Sequence, residues 1–145
     1  MQILVRKMTK KDVPRVAELE AQNFSMPWSE KAFYEQLHNS DALYMVAESE
    51  GEVLGVCGLM ESFGEADICN VSVNKKYRNE GIATKMMNAL MDEGKKRGIV
   101  AFTLEVRAGN EAAIHLYEKL GFVSAGYRPG FYDKPKEDAL IMWKR

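Results

Sequence analysis

The sequence predicts a mixed α/β fold on one mixed sheet, and three observations predict it. Strand-like and helix-like runs follow in the order β-α-α-β-β-β-α-β-α-β-β. Two early strands meet at a tight turn and so are antiparallel, whereas a long amphipathic run between two later strands demands a helical crossover. A Gly-bearing loop stands at the mouth of that crossover helix.

Gln2 to Met8 reads as a short strand. Thr9-x-x-Asp12 opens a helix with Val13, Val16, Ala17 and Ala21 on one face, and Pro14 falls in its first turn, where a missing donor costs little. The helix ends near Asn23, and Phe24-Ser25-Met26-Pro27-Trp28 follows as an apolar loop. Ser29 caps a second helix carrying Phe33 and Leu37. Residues 43–48 and 53–61 form two strands around the Ser49–Glu52 turn, and 66–73 the next, with Ile68, Asn70 and Ser72 on one face and Cys69, Val71 and Val73 on the other. The helix over 82–97 shows Ile82, Ala83, Met86, Met87, Leu90 and Met91 as a core stripe and closes at Gly98. Residues 100–106 form a strand, Asn110 caps a helix ending at Leu120, and 122–127 and 139–143 are the last two strands.

At 145 residues the chain is sized for one domain over 1–145. Its 46% apolar and 28% charged residues suit a soluble globular protein, and a net charge of −1 gives no general pull toward nucleic acid or membranes. The N-terminus lacks an apolar signal core, and no apolar run is long enough to span a bilayer, so a cytoplasmic location is expected. Cys57 and Cys69 sit in strand-like runs and read as reduced core residues. His38 and His115 are isolated, so no metal is expected.

The loop Tyr77-Arg78-Asn79-Glu80-Gly81-Ile82-Ala83-Thr84 leaves backbone N–H groups unpaired at a helix N-terminus, where an anion is favoured. It has neither a P-loop nor a Gly-x-Gly-x-x-Gly pattern. What remains, Arg78-x-x-Gly81-x-Ala83, fits a pyrophosphate clamp or an ordinary strand-to-helix turn. The run Leu104-Glu105-Val106-Arg107 places Glu105 on the face opposite Phe102, Leu104 and Val106. Glu105 reads either as a base whose carboxylate pKa is raised by desolvation or as a strand-end acid, solvated or paired with Arg107. Asn110 either caps its helix or offers its amide to a ligand. Tyr117 is either a half-buried aromatic or a proton donor.

Taken together, the element order, Arg78-x-x-Gly81-x-Ala83 and Asn110…Ala113-x-x-x-Tyr117-x-x-x-Gly121-Phe122 resemble the GNAT N-acetyltransferase superfamily over essentially the whole chain. Within it, Pro27-Trp28-Ser29 with Phe33, Leu104–Ala108, and Tyr132…Glu137-Asp138-Ala139-Leu140-Ile141-Met142 resemble the RimI family, which acetylates the N-terminal alanine of a small-subunit ribosomal protein. The resemblance implies a GNAT acyl-CoA N-acyltransferase fold. In it acetyl-CoA lies between two splayed parallel strands, 66–73 and 100–106. Val71, Ser72 and Val73 would hold the pantetheine and acetyl group. Arg78, Asn79, Glu80, Gly81, Ile82, Ala83 and Thr84 would cradle the pyrophosphate, and Asn110 would bond the cofactor. Glu105 matches the general base and Tyr117 the general acid. A direct attack needs no cysteine nucleophile, and a backbone N–H near Val73 would steady the oxyanion.

Two departures from the family pattern stand out. Ala83 replaces a common Gly, which implies weaker cofactor affinity at most, and Gly130-Phe131-Tyr132 replaces a frequent tyrosine pair, which bears on the acceptor site. For the acceptor, Trp28, Tyr127, Phe131 and Tyr132 would wall the entrance from two loops, and Glu30, Glu35, Asp133, Glu137 and Asp138 would draw a basic tail. The expected partner is a protein N-terminus, with no nucleic acid or membrane, and the protein is expected as a monomer or weak dimer. A GNAT acting on small amines or lysine side chains is the nearest rival. A non-catalytic acyl-CoA-binding module is a rival of another class.

Overall fold

In the computed structural model, which describes residues 1–145, strands Leu4–Lys7 (β1), Ala42–Ser49 (β2), Glu52–Ser62 (β3), Glu65–Val73 (β4), Ala101–Arg107 (β5), Val123–Tyr132 (β6) and Glu137–Lys144 (β7) form one sheet. Their order is β1-β2-β3-β4-β5-β7-β6, and only β4 and β5 are parallel. Helices Val13–Asn23 (α1) and Glu30–Gln36 (α2) cover one face, while Ile82–Lys96 (α3) and Glu111–Lys119 (α4) cover the other. The mixed α/β architecture and element order read from the sequence are those observed, with two short 3₁₀ turns added at Lys10–Asp12 and Lys75–Tyr77.

Local chemistry sets these elements. The Thr9 N–H donates to Asp12 Oδ2 at 2.7 Å, turning the chain into α1, and Ser29 Oγ accepts from the Ala32 N–H at 3.1 Å to start α2. The buried stripe of α1 is Val13, Val16, Leu19 and Glu20; Ala21, expected on that face, is exposed. Phe33, Tyr44, Val46 and Val56 pack beneath α1 and α2. Met86, Leu90, Leu104 and Tyr117 belong to the larger cluster on the opposite face. Burying each large side chain contributes on the order of 2 kcal/mol.

One irregularity controls the middle of the sheet. Val56 pairs with Ser72 and Gly58 with Cys69, so Asn70 and Val71 of β4 stand opposite Cys57 alone. Asn70 takes φ +58°, a left-handed conformation that asparagine tolerates. The alternation expected through β4 therefore breaks. Cys69, Asn70 and Ser72 all engage groups on the α1 side, while Val71 and Val73 pack toward α3. Phe131 and Tyr132, expected on a loop, lie on β6, which runs on past Tyr127 to Tyr132 while β7 starts at Glu137.

Gly58 makes room for this bulge. It pairs with Tyr44, whose ring crosses β3 where a Gly58 side chain would stand, so the hydroxyl reaches Asn70 Oδ1 at 2.6 Å. Gly58→Ala forces Cβ into that ring. It should destabilise the protein by about 1–3 kcal/mol through overpacking, read as a lower denaturant midpoint. An unchanged midpoint would show that the ring is free to move aside.

Candidate functional site

β4 and β5 pair over only three positions, Glu65↔Ala101, Ala66↔Phe102 and Asp67↔Thr103. Beyond them β4 continues to Val73 alongside β3, and β5 to Arg107 alongside β7. The two strands part after Asp67, just ahead of the Asn70 bulge. The gap opens as a cleft of about 640 Å³ floored by Asp67–Val71 and Leu104–Arg107, with Phe24 and Trp28 on one side and Asn110, Tyr117 and Tyr132 among its other walls. A sheet interrupted in this way leaves backbone donors and acceptors without strand partners, and those groups are available to an extended ligand.

The bulge is held by side chains. Asn70 Oδ1 accepts from Tyr44, and Asn70 Nδ2 donates to Glu20 Oε2 at 3.0 Å. The same Glu20 oxygen accepts from the Trp28 N–H at 3.3 Å, tying the α1–α2 loop to the cleft. Glu20 is 3% exposed, and its Oε1 has no partner. Burial pushes the Glu20 carboxyl above its usual range, against the pull of hydrogen bonds from Trp28 and Asn70. Asn23, the last residue of α1, donates to Ser72 Oγ at 2.5 Å and to the Val73 carbonyl at 3.0 Å, and accepts from Arg78. It links the cleft to the loop before α3.

That loop exposes its backbone. Gly81 is the N-cap of α3 at φ +77° and Asn79 lies at φ +66°. No backbone N–H from Arg78 to Thr84 donates to another atom of the chain, so Asn79, Glu80, Gly81, Ile82, Ala83 and Thr84 present a row of donors at the positive end of a helix.

Of the remaining predicted residues, Val71, Glu105, Asn110, Tyr117, Trp28 and Tyr132 line the cleft together. Ser72 and Val73 do not: the Ser72 hydroxyl is buried under α1 and donates to the Leu19 carbonyl, and Val73 packs against the core on the α3 side. Glu105 forms no ion pair. Its sequence neighbour Arg107 is held instead by Glu137 Oε1 at 3.2 Å and by the carbonyls of Asp133 and Pro135. Asn110 Oδ1 caps α4 by accepting from the Ala113 N–H at 3.2 Å, which leaves its amide N–H₂ for other partners. Tyr117 is almost wholly buried and its hydroxyl bonds no group of the chain; burial pushes that hydroxyl up, which keeps it a neutral donor. Burial, with the Glu105 charge next, pushes Tyr132 up to about 12.

Trp28 is fixed from behind by Phe33 and Tyr44, with ring centroids 5.3 and 6.2 Å away. Of the acidic residues expected to draw a basic tail, Glu137 is committed to Arg107 and the Gly109 N–H, and Asp138 to the Gly130 N–H. Burial pushes the Cys69 thiol up to about 12, so it is not a thiolate near neutrality. No group of three or more His, Cys, Asp or Glu could hold a metal ion, and no helix is long and apolar enough to cross a membrane.

Sequence reasoning missed Glu20, Asn23, Asp67 and Asn70. Glu20 had a signal: it stands four residues after Val16 and seven after Val13, on the buried stripe by helical spacing alone. Asn70 had none, because its position depends on a bulge that alternation does not anticipate.

The model of the Acetyltransferase (GNAT) family matches residues 13–122. An Escherichia coli (strain K12) protein named [ribosomal protein bS18]-alanine N-acetyltransferase is 34% identical over 133 residues, 90% of this chain and 89% of its own length. A Bacillus subtilis (strain 168) protein, whose name assigns the same activity provisionally, is 36% identical over 140 residues, 96% of this chain and 93% of its own. The crystal structure of the ribosomal-protein-S18-alanine N-acetyltransferase from Escherichia coli superposes with a TM-score of 0.89 at 32% identity, covering 98% of this chain and 92% of that one.

The Glu20 carboxylate carries a linkage prediction. Its folded-state pKa lies above the unfolded value, so its charge burdens the fold near neutrality; that burden lifts as pH falls through the raised folded-state value and is gone below the unfolded value of about 4.3. Glu20→Gln keeps an acceptor for Asn70 and Trp28 without the charge. Thermal melts should show Glu20→Gln above wild type at pH 7, with the difference shrinking toward pH 4. A lower melting temperature at pH 7 would mean that the charge itself stabilises the cleft.

Proposed function

The chain belongs to the GNAT acetyltransferase family and is an acetyl-transferring enzyme, and from that premise we propose that it moves the acetyl group of acetyl-CoA to a protein N-terminal α-amine, in the first place the N-terminal alanine of a small-subunit ribosomal protein. The observation that carries this reading is the wedge between β4 and β5, with an unpaired carboxylate, Glu105, and the unpartnered hydroxyl of the largely buried Tyr117 both lining it. The acceptor follows from relatives named for alanine N-acetylation of bS18 that match across nearly their full length.

The residues present fit acetyl-CoA. The row of free N–H groups from Arg78 to Thr84 suits a pyrophosphate, and the unpaired edge of β4 from Ile68 to Val73 suits the amide-bearing arm. Asn110 keeps a free amide toward the same cleft. When bound, acetyl-CoA supplies a thioester carbonyl open to attack by nitrogen.

Glu105 acts on the acceptor. An α-amine has a pKa of about 7.7–8.0, so removing its proton at pH 7 costs only about 1 kcal/mol. Glu105 takes that proton directly or through one water. Tyr117 acts on the leaving side. An ordinary tyrosine lies about 1.5 units above a thiol, and burial raises Tyr117 further, so its hydroxyl supports the departing sulfur chiefly as a hydrogen-bond donor. Trp28 and Tyr132 stand at the mouth, where they contact the first residues of the acceptor. Cys57 and Cys69 take no part.

Glu105→Gln should lower kcat about 10²–10³-fold, and Tyr117→Phe roughly 10–100-fold, the worth of one hydrogen bond to a charged group. Both should leave acetyl-CoA binding near wild type by titration calorimetry. Normal turnover in both variants would overturn the acid–base assignment. For the acceptor, CoA release is followed with a peptide beginning in alanine and with polyamines, free amino acids and an acetyl-blocked lysine peptide. Turnover is expected with the alanine peptide, and turnover confined to the other amines would reject the α-amine reading.

A further inference from the structure

Asp67 is the last residue of β4 paired with β5, at the vertex of the wedge. Its partner in the register is Thr103, and Glu105 lies two residues further along β5 on the same face. With strands about 4.8 Å apart and a rise of about 3.3 Å per residue, the two carboxyl-bearing positions lie on the order of 8 Å apart, both on the floor of the cleft. Neither side chain forms a salt bridge in the chain.

The charges around the pair do not neutralise it. Arg107 is spent on Glu137 and two carbonyls, and its guanidinium lies 4.5 Å from the Tyr132 ring centroid. Arg128 of β6 offsets Asp67 in part, from a position 5.4 Å from the Phe131 ring centroid. Tyr132 and Cys69 stay neutral near pH 7, and Glu20, reaching in from α1, adds a third carboxyl to the cleft. The vertex therefore carries more negative than positive charge and is open to solvent, an arrangement that favours a small cation with several N–H donors.

We propose that Asp67 is a binding residue for the acceptor: its carboxylate holds the incoming α-ammonium group beside Glu105, so that Glu105 alone removes the proton while Asp67 keeps the nitrogen in place. This rests on the reading of the cleft as the site where an α-amine is acetylated. An α-amine is mostly ammonium at pH 7, so it is this cation that first meets the pair. Its arrival relieves the repulsion between the two carboxylates. Asp67 keeps one side in solvent, yet desolvation by the cleft walls, and the Glu105 charge after it, push its carboxyl up to about 6 against the pull of Arg128, so Asp67 is ionised near neutrality and loses its charge as pH falls through about 6.

The test is steady-state kinetics with an alanine-starting peptide at saturating acetyl-CoA, from pH 5.5 to 8.5, on wild type, Asp67→Asn, Asp67→Glu and Glu105→Gln. Asp67→Asn should raise the peptide KM about tenfold at pH 7.5, the loss of one charge-assisted contact, with kcat within threefold and the acetyl-CoA KM unchanged. In wild type the peptide KM should climb as pH falls through about 6, and in Asp67→Asn that climb should be absent. Asp67→Glu should restore most of the affinity. A peptide KM within twofold of wild type in Asp67→Asn, or a fall in kcat at constant KM, would overturn the proposal. Full turnover in Glu105→Gln would defeat the acid–base reading alone, since the Asp67 result is read in KM.

Discussion

One extra residue in β4 governs this molecule. Asn70 sits in a left-handed conformation opposite a strand that has no matching residue, and β4 can no longer follow β5 past Asp67. Such a bulge leaves the ladder incomplete, so something must hold it. Here the Asn70 side chain is fixed on both ends, by the Tyr44 hydroxyl and the Glu20 carboxylate. Tyr44 reaches it only because β3 has glycine at position 58, and Glu20 reaches it only because α1 turns a charged residue into the core. The cleft, the position of Glu105 and the outlook of Tyr117 all follow from that separation.

The site departs from the rules that the rest of the fold obeys. Elsewhere the two apolar clusters are closed, and Ser29 and Asn110 cap their helices. Along the wedge, Glu105 and Asp67 lack ion-pair partners, the Tyr117 hydroxyl bonds nothing, Glu20 carries an orphaned oxygen, and the donors from Arg78 to Thr84 have no acceptor. Unpaired polar groups cost stability, and proteins concentrate that cost where a ligand will meet it. The turn at Gly81 is thus one part of a larger arrangement: a row of free N–H donors at one end, an open strand edge in the middle, and two unpaired carboxylates at the other.

Much of this was legible in the sequence because local rules dominate it. The strand and helix order, the Gly81 turn, the cap at Asn110 and the inward face of Phe102, Leu104 and Val106 all follow from periodicity and capping. The α-amine chemistry followed from resemblance, since nothing in the spacing of Glu105 and Tyr117 brings a strand and a helix together. Three features were hidden for physical reasons. The bulge at Asn70 reverses the faces beyond it, which simple alternation cannot anticipate. Glu20 carries charge on a buried stripe, against the expectation that charges face water. Phe131 and Tyr132 belong to β6 because the β6–β7 hairpin resumes at Tyr132↔Glu137 after an irregularity beyond Arg128, which alternation does not anticipate.

If β4 and β5 stay apart beyond Asp67 to admit a thioester ligand, a crystal structure of the protein with acetyl-CoA shows it. The ligand's arm should lie between residues 68–73 and 104–107, its pyrophosphate within hydrogen-bond reach of the N–H groups from Asn79 to Thr84, and its sulfur beside Tyr117. Strands paired through to Val73, or the ligand bound away from the wedge, would contradict it.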